Sequence, residues 1–108
     1  MSESHINLRV VLDENKVPEK MYWKAEQADV PDEREMKAFF LSLWDPKENN
    51  SMRIDLWTKE MPVEEMHQFF YQNLISMSET LQRATGEDEL ALHMQDFAEY
   101  FAEKTGIK

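Results

Sequence analysis

The hydrophobic period of this chain changes once, at Pro62, and that change constrains the fold more than any single residue does. Before Pro62 apolar side chains recur at every second position, and after it they recur at every third and fourth. Period two is the spacing of a half-buried strand and period 3.6 that of an amphipathic helix. The chain therefore reads as a block of strands followed by a block of helices, the order of an α+β domain with its helices gathered on one side of an antiparallel sheet.

Within the first block, Ile6, Leu8, Val10 and Leu12 point one way and His5, Asn7 and Arg9 the other. After the turn-forming DENKVPE, Met21, Trp23 and Ala25 alternate with Lys20, Tyr22 and Lys24, so the two segments predict an antiparallel hairpin. Residues 27–35, QADVPDERE, are polar and contain a proline, and read as a connection. A third strand follows over Met36–Trp44, then the turn DPKENN, then a fourth strand over Ser51–Thr58 in which Met52, Ile54 and Leu56 share a face.

Pro62 suits a first helical turn, and Glu64 and Glu65 place negative charge at the positive end of the helix dipole. Val63, Met66, Phe69, Phe70, Leu74, Met77, Leu81 and Ala84 then predict one helix from 62 to about 85, with Gly86 as its stop. A second helix starts near Asp88, carries Leu90, Met94, Phe97, Ala98 and Phe101 on one stripe, and ends around Lys104 with Gly106 beyond. The expected fold is a single domain spanning residues 1–108: a four-stranded antiparallel sheet followed by two C-terminal helices packed on one face.

The third strand is apolar on both sides. Phe39, Leu41 and Leu43 form one set, and Met36, Ala38, Phe40 and Trp44 form the other. Two helices cover one face of a sheet, so the second face needs another cover. With Phe39, Leu41 and Leu43 assigned to the helices, Phe40 and Trp44 project from the back together with Tyr22, Trp57 and Val11. Each aromatic ring offers roughly 150 to 250 Å² of buriable area, so four half-exposed rings approach the largest patch usual on a monomer. Tyr22, Phe40, Trp44 and Trp57 are accordingly the candidate partner-binding residues, with self-association into a homodimer or higher homo-oligomer as the first expectation. The competing reading has a chain segment, or the stems of Lys20, Lys24, Arg53 and Lys59, folded over the rings.

Charge and composition exclude several functions. The 108 residues carry 12 Lys and Arg against 22 Asp and Glu, a formal net charge of -10, which opposes binding to a phosphate backbone and makes nucleic acid an improbable partner. There is no cysteine, so disulfides, thiolate nucleophiles and cysteine-ligated zinc are absent. The N-terminus lacks a basic segment followed by an apolar run, and no stretch approaches the roughly 20 apolar residues of a membrane span. A cytoplasmic protein without membrane insertion is expected.

Nor does a reaction suggest itself. Glu64 and His67 form a Glu-x-x-His, which in helical bundles serves di-metal sites, but such a site needs a second such pair, and Glu89 and His93 stand four apart. The chain has two glycines, too few for a glycine-rich phosphate loop. The carboxylates at 64, 65 and 87–89 are explained by helix starts. No catalytic residue, cofactor or metal site is assigned, and an enzyme is not expected. Methionines on the helix stripe, Met66, Met77 and Met94, read as core filler before they read as a peptide-binding surface.

Several separated blocks nevertheless agree with a known family. LDENKVPEK in the first hairpin, LWD in the third strand, IDLWTKEMPVEEMHQFFYQ across the fourth strand and first helix, SMSETLQRAT, and MQDFAEYFAEK in the second helix resemble the gliding motility protein GldC family of Bacteroidota. The resemblance implies a small cytoplasmic protein associated with the gliding apparatus, with no enzymatic activity or cofactor to carry over. A second likeness is of plan alone: strands followed by a long and a shorter helix on an acidic chain are similar to the SecB export chaperone. That likeness implies, as an alternative function, a holdase for unfolded export substrates. A small-molecule binder using a groove between helices and sheet is a third.

Overall fold

A computed structural model describes residues 2–108, with Pro31 described in its backbone only. The chain divides into two compact units, one ending at Met61 and the other spanning Pro62–Lys108.

The described residues of the first unit form five strands: β1 (Ile6–Leu12), β2 (Pro18–Ala25), β3 (Val30–Met36), β4 (Ala38–Asp45) and β5 (Asn50–Trp57). A single turn of 3-10 helix over Glu26–Ala28 links β2 to β3. β1, β2 and β3 make one antiparallel sheet in that order, and β4 and β5 make a separate two-stranded one. The expected single four-stranded sheet is thus replaced by sheets of three and two strands.

The additional strand is β3, inside the segment VPDEREM that the sequence marked as connection. Its apolar residues, Val30 and Met36, stand at its two ends, so the alternation that betrays a half-buried strand is missing between them. What holds it is backbone pairing to β2, with Met21 opposite Met36 and Trp23 opposite Arg34, and ion pairs on the other face. Arg9 in β1 donates twice to Glu33, both at 2.9 Å, and Lys20 in β2 meets Glu35 at 3.3 Å. Charge on an outer strand also discourages unwanted pairing with other chains. The chain bends at Lys37, and Met36 consequently belongs to β3 while the expected third strand begins at Ala38 as β4.

Pairing of β1 with β2 places Ile6, Leu8 and Val10 opposite Ala25, Trp23 and Met21. The apolar parity read from the sequence is therefore one face of this sheet. Met21, Ala25 and Val30 are its buried members. The β1–β2 turn is closed by Asp13, whose Oδ1 accepts hydrogen bonds from the Asn15 and Val17 amides at 2.8 and 3.0 Å while Lys16 takes a positive φ of 61°. The Oδ2 atom of Asp13 lies 2.6 Å from Nζ of Lys59.

The second unit is a helical hairpin, α1 (Val63–Thr85) and α2 (Asp88–Thr105). Both helices stop as the sequence predicts. Gly86 and Gly106 have φ of 73° and 82°, the left-handed conformation that a residue without Cβ adopts freely, and the Gly86 amide donates to the Gln82 carbonyl at 2.8 Å. Small residues, Ser78, Ala91, Ala98 and Ala102, are the buried ones of the two helices, and the Phe101 ring of α2 packs against Phe70 of α1 with centroids 6.2 Å apart.

Candidate functional site

The β4–β5 hairpin is apolar on both faces, and its register decides which residues share each one. Ala38, Phe40, Ser42 and Trp44 lie opposite Trp57, Asp55, Arg53 and Ser51. Phe39, Leu41 and Leu43 lie opposite Leu56, Ile54 and Met52 on the other side. Partners in an antiparallel ladder project to the same face, so the parity assignment made from the sequence matches this register.

Of the four candidate residues, three share a face. Phe40 and Trp57 are diagonal neighbours, since Trp57 stands two residues beyond Asp55, the partner of Phe40. Trp44 is more remote. Six residues separate it from Ala38, the partner of Trp57, which at about 3.3 Å per residue is about 20 Å along the hairpin. Between the two tryptophans lies an ion pair, Arg53 with Asp55, at 3.0 Å. Trp44 is 64% exposed and Trp57 53%, so neither ring is enclosed.

Tyr22 stands apart from these three. It belongs to the three-stranded sheet, on the face opposite Met21 and Trp23, where it pairs with Arg9 and Glu35. The Arg9 guanidinium lies 4.4 Å from its ring centroid, and the same guanidinium is held by Glu33. That bond pulls the Glu33 carboxyl below its ordinary pKa and pushes Arg9 above its own. Tyr22 is thus already stacked on a cation, which a parity argument confined to one sheet had no means to show.

The sequence reading assigned Phe39, Leu41 and Leu43 to a covered face. Leu43, Met52 and Ile54 on that face are all exposed. This face carries an apolar trio on each of two paired strands, Phe39, Leu41 and Leu43 opposite Leu56, Ile54 and Met52, and that pattern was legible before the structure.

The helical hairpin contributes a third surface. An open groove of about 440 Å³ is lined by Leu74, Leu81, Leu90, His93, Met94 and Phe97. The opposite side is polar, with Tyr71, Gln95, Asp96 and Glu99 around another groove. There the Lys108 ammonium donates to Glu99 at 3.1 Å and the Tyr71 hydroxyl donates to the same carboxylate at 3.0 Å, and the two together lower the pKa of Glu99. Among the described residues no group of three or more His, Asp or Glu is placed to hold a metal ion. His67 of the Glu-x-x-His packs edge-on against Phe101 with centroids 6.0 Å apart. No helix among the described residues is long and apolar enough to cross a membrane.

The exposed side chains of these surfaces include Trp44, Trp57, Leu43, Ile54 and Phe97, and the Arg53–Asp55 ion pair lies beside the tryptophans. A family model described as gliding motility-associated protein GldC-like matches residues 18–107, from the first residue of β2 to just past the end of α2. No curated protein and no solved structure matches the chain at a significant level, so the likeness of plan to SecB has no matching structure behind it.

Proposed function

The chain belongs to the GldC-like family, a family associated with gliding motility, and from that premise we propose that it is a non-catalytic accessory protein of the motility machinery. It works in the cytoplasm as a homo-oligomer and acts through protein contacts. The observation that carries this reading is the exposure of Trp44 and Trp57 on the face of β4–β5 that also bears Phe40. Indole rings held on a paired strand lose little conformational freedom on binding and offer large apolar area, the qualities of residues that dominate protein interfaces. The Arg53–Asp55 pair between them supplies polar contacts and register. Tyr22, stacked under Arg9 on the other sheet, belongs to the proposed surface as a separate contact point.

Capture of partners from native cytosol tests this reading. Wild-type protein retains a discrete set of partners, and Trp44→Asp loses them while keeping its circular dichroism spectrum. Equal capture by the two proteins removes the aromatic face from the proposal. A holdase would instead suppress aggregation of an unfolded substrate at stoichiometric ratios, and the accessory reading expects no suppression.

A further inference from the structure

The two-stranded sheet of β4 and β5 has an open edge along β5. Two strands make a ladder that is marginal in water by itself, and further strands are what such a ladder lacks. Among the described residues no strand pairs with the outer side of β5, and every residue of β5 except Leu56 is exposed. The backbone fixes which groups that edge offers. The Thr58 amide donates to the Lys37 carbonyl at 2.8 Å, and these two residues continue the register in which Trp57 opposes Ala38. Hydrogen-bonded and non-hydrogen-bonded pairs alternate along an antiparallel ladder. Leu56, Ile54 and Met52 therefore direct their amides and carbonyls to β4, and Ser51, Arg53, Asp55 and Trp57 turn theirs outward.

Charge along this edge identifies the strand that fits it. Arg53 and Asp55 stand on either side of Ile54. An antiparallel copy of β5 centred on Ile54 sets Arg53 opposite Asp55 of the second copy, and Asp55 opposite its Arg53. The same register sets Met52 opposite Leu56, and Ser51, a small side chain, opposite the large Trp57. It also pairs the outward backbone groups of Ser51, Arg53, Asp55 and Trp57 with one another. Registers centred on Arg53 or on Asp55 oppose like charges, and one centred between residues sets Arg53 against Ile54. Beyond the strands, Lys59 and Glu60 of one copy approach Lys47 and Glu48 of the other, two charges of each sign. The contact is therefore neutral although each copy carries -10. The outer edge of β4 has no charged side chain before Asp45, so nothing in it selects a register.

We propose that β5 pairs antiparallel with β5 of a second copy about a two-fold axis through Ile54, joining the two hairpins into one four-stranded sheet. Backbone hydrogen bonds and the apolar contacts of Met52, Ile54 and Leu56 hold the pairing, and Arg53 and Asp55 select its register. This rests on the homo-oligomer named above and gives it an interface. Trp44 lies on β4, one strand farther from the axis, and stays free for another partner.

Light scattering with mass determination tests the pairing on the full chain. Wild type is expected at twice the chain mass, and Arg53→Asp and Asp55→Arg each at the single-chain mass. The chain carrying both substitutions, and an equimolar mixture of the two single variants, are expected to regain the double mass. The chain has no cysteine, so single thiols report proximity without background. Directly opposed residues of a non-hydrogen-bonded pair have Cα atoms about 4.5 Å apart, within disulfide reach. Under a mild thiol oxidant Ile54→Cys is therefore expected to give a covalent dimer, and Leu43→Cys, on β4, none. The cysteine pair decides the matter should a charge variant unfold. A monomeric wild type overturns the pairing, and leaves the accessory role standing where partner capture still depends on Trp44. A dimer that both charge variants leave intact and Ile54→Cys does not link overturns the pairing too, and keeps the homo-oligomer with its interface elsewhere.

Discussion

Asp13 shows how much one side chain organises in this chain. Its carboxylate closes the β1–β2 turn through two amides and pairs with Lys59, and only 13% of its side-chain surface is accessible. The Lys59 ammonium and the Val17 amide hold its pKa below the ordinary 3.8. A carboxyl with a lowered folded pKa contributes stability that is full above the unfolded value and is lost as pH falls through the folded one. Asp13→Ala is therefore expected to unfold at lower denaturant than wild type at pH 7. The difference should shrink once pH falls below 3.8, and Asp13→Asn, which keeps an acceptor for the two amides, should lie between. Equal midpoints at pH 7 would show that Asp13 does not stabilise the turn. The turn itself was readable from DENKVPE. The partner, 46 positions away, was not, because ion pairing over that distance depends on where the strands bring the chain back.

Among the elements, the helices were the most legible and β3 the least. A helix declares itself through local rules, a 3.6 period, acids at its start and glycine at its stop, and all three are present here. Gly86 and Gly106 are the only glycines in the sequence, and each ends a helix at positive φ with open space where a Cβ would point. Alanine at Gly86 should thus cost only the conformational penalty, about 1 kcal/mol, and asparagine less. Urea denaturation of the two variants checks this, and a neutral Gly86→Ala would mean the helix stops for another reason. β3 obeys no local rule of strands. Its pairing to β2 and the reach of Arg9 to Glu33 are non-local, so VPDEREM reads as a loop until its neighbours are known.

For the whole molecule, net charge and apolar surface pull in opposite directions. Each copy carries -10, which opposes self-association, and each leaves large apolar side chains open, which favours it. Raising ionic strength screens the repulsion and leaves the apolar contribution in place. The proposed homo-oligomer is therefore expected to tighten between about 0.05 and 0.5 M salt, a range over which the Debye length falls roughly threefold, and sedimentation velocity would read it. A dimer that loosens with salt would be held by ion pairs instead. Because association stabilises the folded state by mass action, the melting temperature should also rise with protein concentration. A single domain over residues 1–108 predicts one unfolding transition followed equally by tryptophan fluorescence, which reports on the strand region alone, and by helical circular dichroism. By itself the amino-acid order determined where strands give way to helices, where both helices end, and which side chains of β1, β2, β4 and β5 alternate on each face. These are properties of spacing and local backbone preference. Only the tertiary structure decided that the strands part into sheets of three and two, that Tyr22 sits under Arg9 on a different sheet from Trp44 and Trp57, and that Glu33 on an outer strand holds Arg9. Each of those follows from contacts between residues far apart in sequence, where pairing competes with chain entropy and no local pattern records the outcome.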